Sequence, residues 1–146
     1  MPPLEYIISA TVLICEKILV EKDEVPSAIR LADTFCFRKN PERPEETPIV
    51  LVNGFFMIRF VPNAPIEHSL ELRLVRPDGE TQTIGGPNDA RAEVRTPDTP
   101  IGFNAPFGFG LRAREPGIYY VTALLDGAEV AKAGFSLIEA PFEPAV

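Results

Sequence analysis

Proline is the feature that most narrows what this chain can fold into. Sixteen prolines and ten glycines are spread over 146 residues, and each proline removes a backbone donor and fixes its own φ. Punctuation that frequent leaves only short windows favouring a helix, so long helices are ruled out. Between the breaks lie β-branched and aromatic residues, which suit a pleated surface. The length fits one domain covering 1–146, and a chain of that size buries roughly 70% of its unfolded surface, enough for a core without staples.

The strongest local signal runs from Pro116 to Ile138, where two apolar runs flank Asp126-Gly127. Asp-Gly in that setting marks a hairpin. A two-residue turn pairs Leu125 with Ala128 and sets Ile118, Tyr120 and Thr122 beside Ala131, Ala133 and Phe135. A three-residue loop, with Gly127 as a left-handed bulge, puts Tyr119 and Val121 on that face instead. It also sends Tyr120, Thr122 and Lys132 together to the other side. A one-residue slip inverts every side chain, so burial chooses the register, and the second separates polar from apolar better.

A second hairpin is written around Arg76-Pro77-Asp78-Gly79, with proline and glycine where a type I turn wants them. Leu70, Leu72 and Leu74 alternate with Ser69, Glu71 and Arg73. A three-residue loop here sets Leu72 opposite Ile84 and Arg76 opposite Glu80.

The remaining segments read as more of the same. Residues 6–21 form a long strand with an irregularity at Glu16-Lys17, and Lys22-Asp23-Glu24 a turn. Val25, Ile29, Leu31 and Phe35 then share one face of a half-buried strand. Residues 38–48, with three prolines and mixed charge, read as a solvated, mobile loop. Ile49 to Val61 reads as a central strand apolar on both faces, with Gly54 marking a bulge or bend. Gly85 to Ala90 reads as a loop, Arg91 to Arg95 as a short strand, and Leu111 to Arg114 as a strand. The tail 139–146 reads as frayed. About eight or nine strands joined mostly by hairpins imply an all-β fold, an antiparallel two-sheet β-sandwich, immunoglobulin-like or related. A closed barrel is the alternative.

Two segments carry a resemblance. Ala10 to Lys17 with Ser27 to Asp33, and Pro116-Gly117-Ile118-Tyr119 with Leu124-Leu125-Asp126-Gly127, resemble a group of uncharacterised small bacterial all-β proteins. The resemblance implies a compact sandwich and supplies no catalytic residue.

Chemistry is sparse. His68 is the one histidine; its neighbour Ser69 points to the opposite face of a strand, so His68 reads as a strand-end surface residue. One histidine and two cysteines fall short of a zinc set. Asp78, Asp89, Asp98 and Asp126 fall in expected turns that could converge on calcium, but Asp-Gly is ordinary turn chemistry. Glu45-Glu46 lie in the solvated loop, and Gly108-Phe109-Gly110 lacks the spacing of a phosphate loop. No enzyme, metal or cofactor is therefore expected. The candidate surface is the stretch holding Phe103, Phe107 and Phe109, which either plug the core or lie exposed beside Asn104, Arg112 and Arg114.

The net charge of −7 argues against nucleic acid and against anionic membranes. The apolar run Ile7 to Cys15 is too short to span a bilayer and lacks a basic opening or cleavage site, so the expected location is cytoplasmic. Cys15 should face residue 31 rather than Cys36, leaving two buried thiols. The functional expectation is a non-enzymatic module acting through protein–protein contacts, with sheet edges that suit a homo-oligomer. The alternative is a small-ligand or carbohydrate binder using the aromatic stretch.

Overall fold

The computed structural model describes residues 5–20, 26–95 and 99–141, with the backbone alone at 17–20, 26–31, 95 and 99–100. The expected turn at Lys22-Asp23-Glu24, the facing of Val25, Ile29 and Leu31, Asp98 and the end of the tail lie outside the described residues. The strands are β1 (Ile7–Val20), β2 (Pro26–Leu31), β3 (Thr34–Phe37), β4 (Ile49–Phe60), β5 (Glu67–Val75), β6 (Thr81–Arg91), β7 (Glu93–Arg95), β8 (Thr99–Arg112), β9 (Gly117–Leu125) and β10 (Ala128–Glu139). There is no α-helix among the described residues. One sheet has the order β2-β1-β4-β8-β7 and the other β3-β10-β9-β5-β6.

Three features depart from the expected strand plan, the first being that β8 begins at Thr99, where a strand was expected only from Leu111. The run expected as one strand through Phe35 is cut at Ala32-Asp33, so β2 pairs with β1 in the first sheet while β3 joins the second. There β3 lies parallel to β10, the exception in an otherwise antiparallel set. The chain also stays extended through Gly85–Ala90, expected as a loop, because β6 runs beside β5 to Arg91.

Both hairpins show how bulges settle register. Asp126 (φ 51°) and Gly127 (φ 85°) form the two-residue turn with Leu125 opposite Ala128, and positive φ at both central residues is the type I′ geometry that matches strand twist. The extra residue enters at Val130, between Glu129 and Ala131. Beyond it, Tyr119 and Val121 are buried with Phe135 while Lys132 lies opposite Thr122 and 5.4 Å over the Tyr120 ring. The expected faces hold, but a bulge inside the strand produces them rather than the loop. In the other hairpin Arg76 N–H donates to the Glu80 carbonyl as expected. Leu72, however, lies opposite Gly85, because the ladder slips by one residue at Ile84.

The two sheets share one core. Val52, Phe56, Ile58 and Phe60 of β4 belong to the same buried cluster as Leu70, Leu72 and Leu74 of β5 and Tyr119, Val121 and Leu125 of β9. All are buried, which at roughly 25 cal/mol per Å² makes this the main source of stability. Cys15 is buried, lies opposite Leu31 as expected, and is not bonded to Cys36, which is exposed rather than buried.

Candidate functional site

Period two decides where each side chain of β8 goes. Odd positions face the core: Phe103 packs on Phe56 and Phe60 (centroids 5.9 and 6.2 Å), and Phe107 stacks beside Phe109 at 6.4 Å. Even positions face out, and Asn104 accepts a hydrogen bond from Arg59 Nη1 at 3.1 Å. The six residues expected to share one surface are therefore divided. Phe103 and Phe107 belong to the core's margin, Asn104 to the outer face, and only Phe109, Arg112 and Arg114 come together.

They meet at a cleft of about 440 Å³ between the β5–β6 hairpin and the end of β8. Among the described residues β7 covers β8 only at Thr99, Pro100 and Gly102, and no described strand pairs with that edge of β8 from there to Arg112. The β5–β6 hairpin forms the other wall with Arg76, Gln82 and Thr83, over a floor of Leu74, Ile84, Phe109 and Leu111. Arg76 donates to Gln82 Oε1 at 2.8 Å. Among the described residues, the Arg112 and Arg114 side chains have no carboxylate partner. Arg73 is different: its guanidinium grips Glu71 with two 3.1 Å bonds, and this contact holds the Glu71 carboxyl below its usual range.

The sequence missed Arg76, Gln82 and Thr83. Their hairpin was legible, but which strand it leans against depends on how the sheets stack.

His68 occupies the opposite end of the molecule. Its ring is wholly buried, which corrects the expected surface position. Nδ1 lies 2.8 Å from Asp126 Oδ2 and Nε2 lies 2.7 Å from the Pro65 carbonyl. The ring stacks on Phe60 at 4.8 Å, with Tyr6 5.7 Å away. Asp126 also accepts from the Ser69 amide (2.8 Å) and the Tyr6 hydroxyl (3.3 Å). Both imidazole nitrogens are engaged by acceptors, so neither is presented to a substrate proton or a nucleophile. The arrangement ties the start of β1, the end of β4 and the β9–β10 turn into one clamp. Asp126 was expected only as a turn former, and its partners at sequence separations of 57, 58 and 120 left no local mark.

Burial pushes the Asp126 carboxyl up, but the hydrogen bonds from His68 and Ser69, the His68 charge and the Tyr6 hydroxyl outweigh it, and the net shift is downward from 3.8. Burial, then the Asp126 charge, pushes the Tyr6 hydroxyl up. A carboxylate lowered in the folded state contributes stability that is present above the unfolded value and lost as pH falls through the folded one. In urea titrations the stability gap between the native protein and Asp126→Asn should therefore be full at neutral pH and close below about pH 4. A gap that persists unchanged at pH 2 would refute the charged clamp. Among the described residues, no three His, Cys, Asp or Glu side chains gather around a common point.

No family model matches this chain, and no curated protein matches it. A solved structure that it resembles is the Pseudomonas fluorescens alkylpurine DNA glycosylase AlkC bound to DNA containing an abasic site analog. The likeness has 14% identity and a TM-score of 0.44, and covers 86% of this chain but 30% of that one. The expected module acting through protein–protein contacts, with no nucleic-acid partner, is corrected beside this finding, because the similar chain is an enzyme holding DNA. The expected aromatic platform goes with it, since Phe103 and Phe107 face inward. At that TM-score nothing of the glycosylase's action passes to this chain, which spans less than a third of its length.

Proposed function

We propose that this protein binds a small anionic ligand, through a phosphate or carboxylate group, in the cleft between β6 and β8. One observation carries the reading: Arg76, Arg112 and Arg114 line a cleft whose lining, among the described residues, holds no carboxylate, on a chain of net charge −7. Guanidinium groups offer planar, paired donors that match carboxylate and phosphate oxygens, and their mutual repulsion is relieved when an anion sits among them. Gln82 and Thr83 add neutral hydrogen-bonding groups on the same wall. The reading is of binding rather than turnover. The engaged nitrogens of His68 support it, as does a cleft lined by donors and apolar side chains.

The finer fold assignment, an immunoglobulin-like sandwich, belongs to the same proposal. Its support is Tyr119, near the start of β9, whose hydroxyl donates to the Glu115 carbonyl at 2.5 Å. That is the tyrosine corner of such sandwiches, and here Val121 stands two residues on, where antibody domains have a cysteine. A cytoplasmic location is also part of the reading, supported by Cys15 and Cys36 standing unbonded to each other in different sheets. No helix among the described residues is long and apolar enough to cross a membrane.

The test is calorimetric titration with inorganic phosphate and with citrate at low ionic strength. Replacing Arg112 and Arg114 together by glutamine should weaken binding roughly 10- to 100-fold, since each removes a charge-assisted hydrogen bond. Both residues are exposed, so the melting curve should barely move. Added salt should weaken binding to the native protein. Equal affinity in the variant, or no binding of either anion by the native protein, would sink the reading.

A further inference from the structure

Arg114 serves two hollows. Besides the larger cleft, it lines a second one of about 150 Å³ together with Lys39, Glu46 and Thr47. At ~30 Å³ per water this is the room of about five waters, enough for one phosphate group. Pro44 and Pro48 close the side, and Ala113 N–H donates to the Pro48 carbonyl at 2.8 Å, fastening residues 38–48 to the end of β8. Two successive turns shape this wall, with Arg43 N–H donating to Asn40 O and Glu46 N–H to Arg43 O, each at 3.1 Å. The one carboxylate of this wall among the described residues, Glu46, is met by Arg43 Nη1 at 3.3 Å. The second hollow therefore offers two cations, Lys39 and Arg114, next to three in the first.

From this geometry we infer that the ligand is a compact diphosphate, one phosphate held between Arg76 and Arg112 and the next between Arg114 and Lys39. The inference rests on the binding reading above and names the ligand class for the same site. A single phosphate occupies one hollow and leaves the other's cations unmatched, whereas two linked phosphates engage both through the shared arginine. Proximity makes the second contact intramolecular once the first has formed, which raises affinity without any new kind of bond.

The experiment is calorimetry at matched ionic strength with inorganic phosphate, inorganic pyrophosphate and a short oligothymidylate, on the native protein and Lys39→Gln. Pyrophosphate should bind the native protein at least tenfold more tightly than phosphate. In Lys39→Gln, pyrophosphate affinity should fall five- to tenfold while phosphate affinity stays within twofold. Charge alone would favour pyrophosphate equally in both proteins, so the variant is the deciding arm. Phosphate binding with an unchanged pyrophosphate preference in the variant overturns the diphosphate assignment and leaves the binding reading standing. Oligothymidylate binding more tightly than pyrophosphate overturns the small-molecule source. Failure of every anion to bind overturns both readings.

Discussion

His68→Ala is expected to lower the free energy of unfolding by about 3–4 kcal/mol. The substitution deletes a wholly buried ring that stacks on Phe60 and lies beside Tyr6, and aromatic pairs of this kind contribute about 0.5–1.5 kcal/mol beyond their area. It also strands the Pro65 carbonyl and deprives Asp126 of its imidazole partner, and an unpaired polar group costs about 1–3 kcal/mol when water cannot replace the partner. Asp126 is 35% exposed at its side chain, so water recovers part of that loss and the full penalty of a broken buried ion pair does not apply. Asp126→Asn should cost about 1–2 kcal/mol, since Asn keeps one acceptor oxygen. Urea denaturation of both single variants and the double variant should give a coupling of about 1 kcal/mol or more. A loss below about 1 kcal/mol for His68→Ala would mean that the ends of the two sheets are joined by something other than this imidazole.

The clamp also shows what a linear reading can and cannot reach. Alternation in β5 and the Asp-Gly turn of β9–β10 are local properties, so their faces and the hairpin itself were legible in Leu70 to Leu74 and Asp126-Gly127. The site of the extra residue was not, because a bulge at Val130 and a bulged loop at Gly127 bury the same side chains. The crossing of the chain at Ala32-Asp33 was missed for a related reason. β2 and β3 continue one apolar pattern, and the change of sheet depends on β10 accepting a parallel neighbour. The cleft was half legible. Arg112 and Arg114 could be named from their place after the phenylalanine run, while Arg76 arrives from a hairpin that stacks on β8 only in three dimensions.

Gly54→Ala is the second large effect, at about 2–3 kcal/mol. The sequence marked Gly54 for a bulge or bend, but the ladder shows no bulge there, with Ile14 opposite Gly54 on one side and Phe107 on the other. The glycine is required by close approach instead. A Cβ at this position would lie 2.3 Å from the Leu13 carbonyl oxygen and 2.6 Å from Phe107 Cζ, well inside van der Waals contact. The carbonyl belongs to the neighbouring strand and the ring is held by the core margin, so neither yields cheaply, and overpacking of this kind costs about 1–3 kcal/mol or more. Phe107→Leu on its own should cost about 1–2 kcal/mol for the packing it removes. In the Gly54→Ala background the same change should cost much less, or recover some stability, because it frees one of the two contacts. Strictly additive losses in chemical denaturation would show that the Phe107 ring does not lie against Gly54. The phenylalanine-rich stretch would then have to be placed outside the core after all, and with it the floor of the arginine cleft.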